Sequence, residues 1–276
     1  KRNGKGKEYN HFGELESLSK VTKPDVCVIN NIGVSHIENF HDRDGIFKAK
    51  CEIFKYAKKN FVAILNGDDD KLVSADTLGL KKVFYGLNGQ EINAKNVAPK
   101  GLAQTSATIS IAGQEYDVVI PLPGSHNVMN ALAAAAVGHK LQLTGDEIVK
   151  GLSKAETIAG RNNIISIGDI TIIDDCYNAN PVSMKASIEV LGKAPGRSIA
   201  VLGDMGELGD DERKLHFEIG EALEANHIGY VFTVGQLSEE INKSLSQTNS
   251  SCMAHHYSSV DIMLEDLLPI VRGGDT

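Results

Sequence analysis

Short apolar runs alternate with helix-like segments along most of this chain, and the alternation predicts a parallel sheet covered by helices. In the first half, Asn66-Gly67 and a Pro-Leu-Pro-Gly segment at 121–124 mark turns between these segments. The strands predicted there are residues 26–32, 61–65, 83–85, 108–111 and 116–120, of which the last three suit a small antiparallel patch. The helices predicted there are residues 44–56, 127–140 and 146–155.

A second series of strands and helices is predicted from about Ile164 onward. Its strands are residues 170–174, 198–202 and 230–234, and its helices are residues 183–192, 211–225, 238–244 and 260–271. The two series predict an α/β protein with two domains, residues 1–162 and 163–276. The polar residues 1–12 and the strand-entry turn at 273–276 make both ends look incomplete, so the second domain is expected to lack its last strands.

Composition and charge narrow the range of partners. The chain has 276 residues, 42% of them apolar, and its 36 acidic and 28 basic residues give a net charge of −8. This charge disfavours binding to nucleic acid or to an anionic membrane. The four cysteines show no CxxC spacing, which argues against a disulfide scaffold and a thiolate zinc site. Since no apolar stretch reaches roughly 18 residues, we expect a cytoplasmic protein without membrane insertion.

A polar cluster follows the first predicted strand, at the sheet edge where parallel α/β folds bind ligands. His36 lies in this cluster, in the segment NNIGVSHIENF. Lys50 interrupts an otherwise apolar helix face in the segment GIFKAKCEIF, so its charge needs a partner. Alternatively, His36 is an ordinary surface or hydrogen-bonded histidine, and Lys50 pairs with Glu52 or extends its amine into solvent.

Two asparagines begin the predicted Ala-rich helix. Asn127 and Asn130, in the segment GSHNVMNALAA, are three residues apart and share one face of the first turn. A carboxamide both donates and accepts hydrogen bonds, which matches the edge of a nucleobase. The alternative is that Asn127 only caps the helix.

The second domain begins with polar residues around its first strand. Arg161 ends the segment AGR, and Asp174 and Asp175 begin the segment DDCYNANPVSM. Paired carboxylates at the end of a strand suit a ribose hydroxyl or a magnesium ion, with Arg161 available for a phosphate group. Alternatively, the aspartates cap a helix and the asparagines build a turn.

Three other segments carry weaker signals. The loop LGDMGELG has the spacing GxxGxxG instead of the dinucleotide pattern GxGxxG, and we expect it to face a ligand near His216. Cys252, His255 and His256 lack a fourth metal ligand, so they are expected to be surface residues. No GxxxxGK[ST] phosphate loop occurs in the 276 residues.

Taken in order, the segments NNIGVSHIENF, GIFKAKCEIF, GSHNVMNALAA, AGR, DDCYNANPVSM and LGDMGELG resemble the Mur ligases, which build the peptidoglycan stem peptide. The resemblance runs from about Asn10 to the last residue. It implies an ATPase-type central domain with a mostly parallel sheet, here without its phosphate loop, followed by a Rossmann-like α/β domain. The segments DDCYNANP and GDMGELG are most similar to the member that joins D-alanyl-D-alanine to UDP-MurNAc-tripeptide.

The resemblance also implies a reaction. ATP would phosphorylate the terminal carboxylate of the UDP-MurNAc-tripeptide, and the amine of D-Ala-D-Ala would then attack the acyl phosphate. The enzyme's main task is to position and neutralise the crowded phosphate groups. The protein would act as a monomer on these small molecules. A 276-residue piece of such a ligase is expected to have little activity alone, because none of its segments would hold the β and γ phosphates.

Catalytic and metal-binding residues follow from the same resemblance. His36 and Lys50 are implied to hold Mg²⁺, Lys50 after CO₂ has converted its amine into an oxygen-donating carbamate. Tyr177, Asn178 and Asn180 are implied to line the gap between the domains, near the reacting groups.

Nucleotide contacts are implied at four further positions. Asn127 and Asn130 would contact adenine, and Arg161 and Asp175 would reach the phosphates and the ribose of ATP. Members of the family carry a magnesium-binding glutamate just before the matched region, and whether Glu8 replaces it stays open. Two alternative functions also stay open, namely a Mur-like ligase of the folylpolyglutamate or cyanophycin type and a non-catalytic nucleotide-binding module.

Overall fold

The structure, a computed structural model, describes residues 11–34, 37–58, 60–248 and 251–276, which form an α/β fold with three sheets. A six-stranded sheet lies in the first part of the chain, and a two-stranded and a three-stranded sheet lie in the second. The predicted α/β class with mostly parallel strands is therefore confirmed. Among the described residues, no helix combines the length and the apolar character needed to cross a membrane.

The first sheet follows the order of its strands along the chain. These strands are β1 (Val26–Ile29), β2 (Val62–Asn66), β3 (Lys81–Gly86), β4 (Ile92–Lys100), β5 (Gln104–Ile111) and β6 (Gln114–Ile120). The pairs from β1 to β4 are parallel, whereas β5 pairs antiparallel with both β4 and β6. The antiparallel pairing of the predicted strands at 108–111 and 116–120 is confirmed, but the third antiparallel strand is β4, which the pattern did not predict. The predicted strand at 83–85 lies in β3, which pairs parallel with β2 and β4, so its place in the antiparallel patch is wrong. Most of β4 is exposed and rich in Lys, Asn and Pro, so it lacks the apolar run that marks a strand.

Helices cover both faces of this sheet. They are α1 (Glu14–Thr22), α2 (Ile37–Phe40), α3 (Arg43–Cys51), α4 (Asp70–Val73), α5 (Ser125–Lys140) and α6 (Gly145–Leu152), and a 3₁₀ turn (Glu52–Phe54) follows α3. The alanines of α5 pack on one face, around Ile64 and Ile109. Phe40 and Ile46 pack on the other face, around Leu65. Because β2 is covered on both sides, its residues 62–65 are all apolar.

The second part of the chain contains a hairpin and a parallel sheet. Strands β7 (Asn163–Ile167) and β8 (Ile170–Asp174) form the hairpin, and strands β9 (Ile199–Gly203), β10 (Tyr230–Val234) and β11 (Met253–Tyr257) form the parallel sheet in the order β11-β10-β9. The helices are α7 (Pro181–Gly192), α8 (Glu212–Ala225), α9 (Glu239–Gln247) and α10 (Val260–Leu267), with a 3₁₀ turn (Gly209–Asp211) before α8. The pattern missed β11, whose sequence Met-Ala-His-His-Tyr has no apolar run.

Residues 274–276 connect the hairpin to the parallel sheet. The N–H of Thr171 donates to the carbonyl of Asp275 over 2.9 Å, and the N–H of Ile199 donates to the carbonyl of Thr276 over 2.8 Å. The backbones of Arg197 and Asp275 form a parallel β-bridge, and the guanidinium of Arg197 also forms an ion pair with the carboxylate of Asp275. The turn at 273–276 was expected to have no strand after it, yet its last residues already occupy a strand position between β8 and β9.

Candidate functional site

Lys50 lies in the last turn of α3 and points to the carboxyl end of β1. Its Nζ donates a hydrogen bond to the carbonyl oxygen of Asn31 over 2.7 Å. The side chain is half-buried, and this burial lowers the pKa of the amine, with a smaller opposing effect from Asp69. Glu52, the ion-pair partner that we considered, instead accepts a hydrogen bond from the N–H of Gly13 over 2.8 Å. Lys50 is therefore directed toward the candidate site.

Asp69 fixes the loop that follows β1. Its Oδ2 accepts from the N–H of Ile32 over 2.7 Å, while its Oδ1 accepts from Lys71 and Leu72 at the start of α4. Arg43 adds a bond from Nε to the carbonyl of Ile32 over 2.9 Å. Sequence reasoning missed Asp69, although the run Asn-Gly-Asp-Asp-Asp directly after β2 is a signal of polar residues at the same sheet edge.

A chain of amides connects β1 to α5. The Nδ2 of Asn30 donates to the Oδ1 of Asn130 over 3.4 Å, and the Nδ2 of Asn130 donates to the Oδ1 of Asn127 over 3.2 Å. The hydroxyl of Tyr85 donates to the Oδ1 of Asn30 over 3.1 Å. Because Asn30 precedes the residue that binds Lys50, the structure brings the predicted amides and the predicted lysine to one edge of the sheet.

The side chain of Asn127 does not cap α5. The N-cap residue of this helix is Gly124, which has no side chain to accept a hydrogen bond. The Nδ2 of Asn127 instead donates to the carbonyl of Pro123 over 2.7 Å and lies 3.1 Å from the Nε2 of His126. The alternative interpretation of Asn127 as a helix cap is therefore wrong.

A second cluster joins the residues that precede β7 to the turn after β8. The guanidinium of Arg161 lies over the ring of Tyr177, 4.3 Å from its centroid. The carboxylate of Asp174 accepts from the N–H of Gly160 over 3.0 Å. A hydrogen bond from Cys176 and this one from Gly160 hold the pKa of Asp174 below its usual value, against the opposing effect of burial. The structure thus places Arg161 beside Tyr177, two of the predicted site residues.

Asp175 is half-buried within this cluster. Its carboxylate accepts from the N–H of Asn162 over 3.0 Å and from the hydroxyl of Ser187 on α7. It also acts electrostatically on His126, which raises the pKa of that imidazole against the larger, lowering effect of burial. His126 therefore contacts the Asn127 amide and is also within electrostatic reach of the Asp175 carboxylate. Sequence reasoning did not single out His126, although it precedes Asn127 directly.

Two predicted catalytic asparagines have local roles in the turn before α7. The Oδ1 of Asn180 accepts from the N–H of Ser183 over 2.9 Å, and the N–H of this N-cap residue donates to the Oγ of Ser183 over 3.2 Å, which completes a capping box. The Oδ1 of Asn178 accepts from the N–H of Ala179 over 3.0 Å. These contacts fit the alternative in which the asparagines build a turn, and a catalytic role for either residue stays a prediction.

The loop after β9, residues 204–208, forms hydrogen bonds with residues of the second part of the chain and with α2 of the first part. Asp204 accepts from the N–H groups of residues 236–238, and the N–H of Met205 donates to His216 over 2.9 Å. His216 is fully buried and supports the loop from within the fold. That the loop itself faces a ligand stays a prediction. The carbonyl of Glu207 accepts from the N–H of Glu38 over 3.4 Å, which brings the loop to α2.

Of the other residues predicted from the sequence, two lie outside the described part of the chain and two lie in a strand. His36 and Glu8 lie outside the described residues. His255 packs near the rings of Phe232 and Tyr257, and His256 shares a hydrogen bond with Thr233, so both are part of the three-stranded sheet.

A cleft of about 260 Å³ lies between the hairpin of β4 and β5, the turn before α5, and α7. The predicted site residues that the structure describes do not line this cleft.

Comparison with known proteins matches both parts of the chain. The Mur ligase middle domain matches residues 8–138, and the Mur ligase, glutamate ligase domain matches residues 160–276. A UDP-N-acetylmuramoyl-tripeptide–D-alanyl-D-alanine ligase from Escherichia coli is 36% identical over 244 residues, which cover 84% of this chain and 52% of the relative. The protein of the same name from Bacillus subtilis is 34% identical over 95% of this chain and 57% of its own length.

Solved structures agree with these sequence matches. MurF from Acinetobacter baumannii superposes with a TM-score of 0.88 at 31% identity, over 95% of this chain and 56% of that protein. MurF from Thermotoga maritima, solved in complex with ADP, has a TM-score of 0.85 at 28% identity, over 96% of this chain and 60% of that protein. The chain thus spans little more than half the length of its relatives.

Proposed function

The chain belongs to the Mur ligase family, of which it carries the middle and C-terminal domains, and on this premise we propose that the protein joins D-alanyl-D-alanine to UDP-MurNAc-tripeptide in an ATP-dependent reaction. Relatives named for this reaction match most of the chain in sequence, and MurF structures match it in fold. The domains proposed are those predicted from the sequence, residues 1–162 and 163–276, acting in a cytoplasmic monomer.

The observation that carries this proposal is the connection between Lys50 and the amides of α5 at the end of β1. Asn31 accepts from Lys50, and Asn30 donates to Asn130. The amine of Lys50 and the amides that would bind a base therefore lie at the same edge of the sheet. A reaction that brings the γ phosphate of ATP next to a carboxylate needs both in one place, because its rate depends on positioning and on neutralising charge.

The described residues fit the adenine nucleotide in chemistry. Asn130 is exposed and Asn127 is half-buried, so a base can reach their amides. Arg161 is exposed and held over Tyr177, which suits a cation that binds phosphate. Asp175 has lone pairs beyond those that Asn162 and Ser187 use, and a ribose hydroxyl can donate to them.

Lys50 fits the proposed magnesium site as a carbamate. CO₂ reacts with a neutral amine, and burial lowers the pKa of Lys50, which favours the neutral form. Asp69 faces the same region, but its carboxylate already accepts three backbone N–H bonds. The carbamate of Lys50, together with His36, would hold Mg²⁺, which supplies neutralisation of phosphate charge when bound.

In the proposed reaction, a carboxylate oxygen of the tripeptide attacks the γ phosphorus of ATP, and the bond from this phosphorus to the bridging oxygen breaks to release ADP. The amine of D-Ala-D-Ala then attacks the acyl carbon. Phosphate leaves with the electron pair of the carbon–oxygen bond, and the nitrogen loses a proton as the amide forms. We place Tyr177, Asn178 and Asn180 near this second step, because they lie in the turn that also presents Asp175.

The proposal is tested with the protein expressed from its complete reading frame. ATP, Mg²⁺ and UDP-MurNAc-tripeptide are supplied with either D-Ala-D-Ala or glutamate, and phosphate release and the peptide product are measured. We expect release and a pentapeptide product with D-Ala-D-Ala only. Release with glutamate instead would support a ligase of the folylpolyglutamate or cyanophycin type. Adenine-nucleotide binding without release, and without any effect of Lys50→Ala, would support the non-catalytic module.

A further inference from the structure

The imidazole of His126 lies close against Gly124, the residue that precedes α5. A Cβ placed on Gly124 would lie 2.7 Å from two atoms of this ring and 3.1 Å from the Cγ2 of Val190. Gly124 also has a φ of +87°, so both the backbone conformation and the approach of the ring require glycine. This packing restricts the ring, whose Nε2 lies 3.1 Å from the amide of Asn127.

The amide of Asn127 has only one favourable orientation. The carbonyl oxygen of Pro123, 2.7 Å away, can only accept, so the group that faces it must be the NH₂ group. The second proton of this NH₂ group is directed to the Nε2 of His126, which accepts it only when that nitrogen carries no proton. Burial lowers the pKa of His126, against smaller effects of Asp175 and Glu189, and so favours the neutral ring.

This orientation determines which hydrogen bonds remain for a ligand. The Oδ1 of Asn127 accepts from Asn130 and keeps a second lone pair. The Nδ2 of Asn130 keeps a second proton, because its Oδ1 is the atom that accepts from Asn30. One free acceptor therefore lies beside one free donor. A 6-aminopurine matches this pair, since its amino group donates beside a ring nitrogen that accepts, whereas a 6-oxopurine presents an acceptor in place of the amino group.

We propose that His126 is a positioning residue that fixes the amide of Asn127 and thereby makes the site prefer 6-aminopurine over 6-oxopurine nucleotides. This inference rests on the proposed function, which places a purine against Asn127 and Asn130. His126 acts through Asn127 and does not contact the base. Without an acceptor at Nε2, the NH₂ group of Asn127 keeps only its bond to Pro123, so the amide rotates more freely and presents either of its atoms to the base.

The test compares ADP with IDP, which differ at the 6-position of the purine. Binding of each nucleotide is measured calorimetrically for the unaltered protein, expressed from its complete reading frame, and for His126→Gln and His126→Phe. The amide oxygen of glutamine can replace Nε2 as acceptor, whereas phenylalanine keeps a ring and removes the acceptor. We expect His126→Phe to lower the preference for ADP about three- to tenfold, the effect of one hydrogen bond, and His126→Gln to retain it within about twofold.

The measurements separate the role of His126 from the existence of the nucleotide site. An unchanged preference in a folded His126→Phe protein would overturn the role of His126, even if the affinity for both nucleotides falls equally. If the unaltered protein binds neither ADP nor IDP, the proposed nucleotide site itself is wrong. The melting temperature of each variant reports whether it is folded, and should His126→Phe fail to fold, His126→Leu removes the same acceptor with a smaller side chain.

Discussion

Asn30 donates a hydrogen bond to Asn130 over 3.4 Å, and this bond joins the end of β1 to the first turns of α5. The two residues are 100 positions apart, so only the folded sheet brings them together. Asn30 is itself held by the hydroxyl of Tyr85. Its neighbour Asn31 accepts from Lys50, and the proposed base site and the proposed metal site are therefore adjacent through a two-residue segment.

Asn30→Ala should weaken nucleotide binding although Asn30 has no assigned contact with the nucleotide. The substitution removes the donor to Asn130 and the acceptor for Tyr85, so the exposed Asn130 amide loses its support. We expect a loss of about three- to tenfold in ADP affinity by calorimetry. Asn88→Ala, in an exposed turn after β3, is the matched control and should leave the affinity unchanged. Equal affinities for both variants would contradict the amide chain.

Lys50 should carry CO₂ in the active protein. With ¹³C-labelled bicarbonate, we expect a carbamate carbon signal by NMR that disappears in Lys50→Ala. Turnover of this variant should fall about a hundredfold or more and recover in part when a small carboxylate such as acetate is added. Lys48→Ala, which removes an exposed lysine from the same helix, is the control. A carbamate signal that persists in Lys50→Ala would place the modification elsewhere.

Tyr177 is expected to act through its ring. Its face contacts the Arg161 guanidinium at 4.3 Å, and a contact of this kind at an exposed site contributes about 0.5–1 kcal/mol. We therefore predict that Tyr177→Ala raises the KM for ATP about two- to fivefold. Tyr177→Phe keeps the ring and should leave the KM within about twofold of its original value. A large fall in kcat for Tyr177→Phe would show instead that the hydroxyl takes part in the reaction.

The ion pair of Arg197 and Asp275 should make stability depend on pH. The Arg197 guanidinium, together with the N–H of Arg272, holds the pKa of Asp275 below its usual value. The pair therefore stabilises the folded protein above about pH 4, and this stabilisation is lost as the pH falls through the lowered pKa. Asp275→Asn should lower the melting temperature by several degrees at pH 7, and the difference should shrink below about pH 4. A difference that is constant with pH would contradict the ion pair.

The 276-residue polypeptide by itself should not turn over its substrates. It contains no GxxxxGK[ST] segment, so it has no backbone loop of this kind to hold the β and γ phosphates. With ATP, Mg²⁺, UDP-MurNAc-tripeptide and D-Ala-D-Ala, we expect phosphate release at the background rate. Turnover at a rate comparable to that of the protein from the complete reading frame would show that other residues supply this function.

The sequence predicts those elements whose residues are buried on both sides. Strand β10 was predicted from 230 to 234, and the structure has it at these bounds, because its apolar residues lie in the centre of a parallel sheet. Strands β4 and β11 were missed, since both lie at less buried positions and are stabilised by pairing with a neighbouring strand and not by their own apolar residues.

The sequence predicted which residues belong to the candidate site, but not the contacts that they make in the folded protein. The position of Lys50 at a sheet edge follows from the strand–helix pattern, but its acceptor is a backbone carbonyl, which a sequence pattern does not show. The glycine-rich loop was expected to face a ligand near His216, but a sequence pattern does not show that His216 is buried and accepts a hydrogen bond from the N–H of Met205 in that loop. His126 was missed because its importance comes from its contact with the Asn127 amide and from its burial, which arise only in the folded chain.

A crystal structure of the protein from its complete reading frame, with ADP and Mg²⁺, tests most directly whether one edge of the first sheet gathers the nucleotide and the metal. We predict that the purine lies within hydrogen-bonding distance of Asn127 and Asn130, and that the Nζ of Lys50 carries a carbamate near the ion. A purine bound instead in the cleft beside α7, with an unmodified Lys50 still donating to Asn31, would contradict this arrangement.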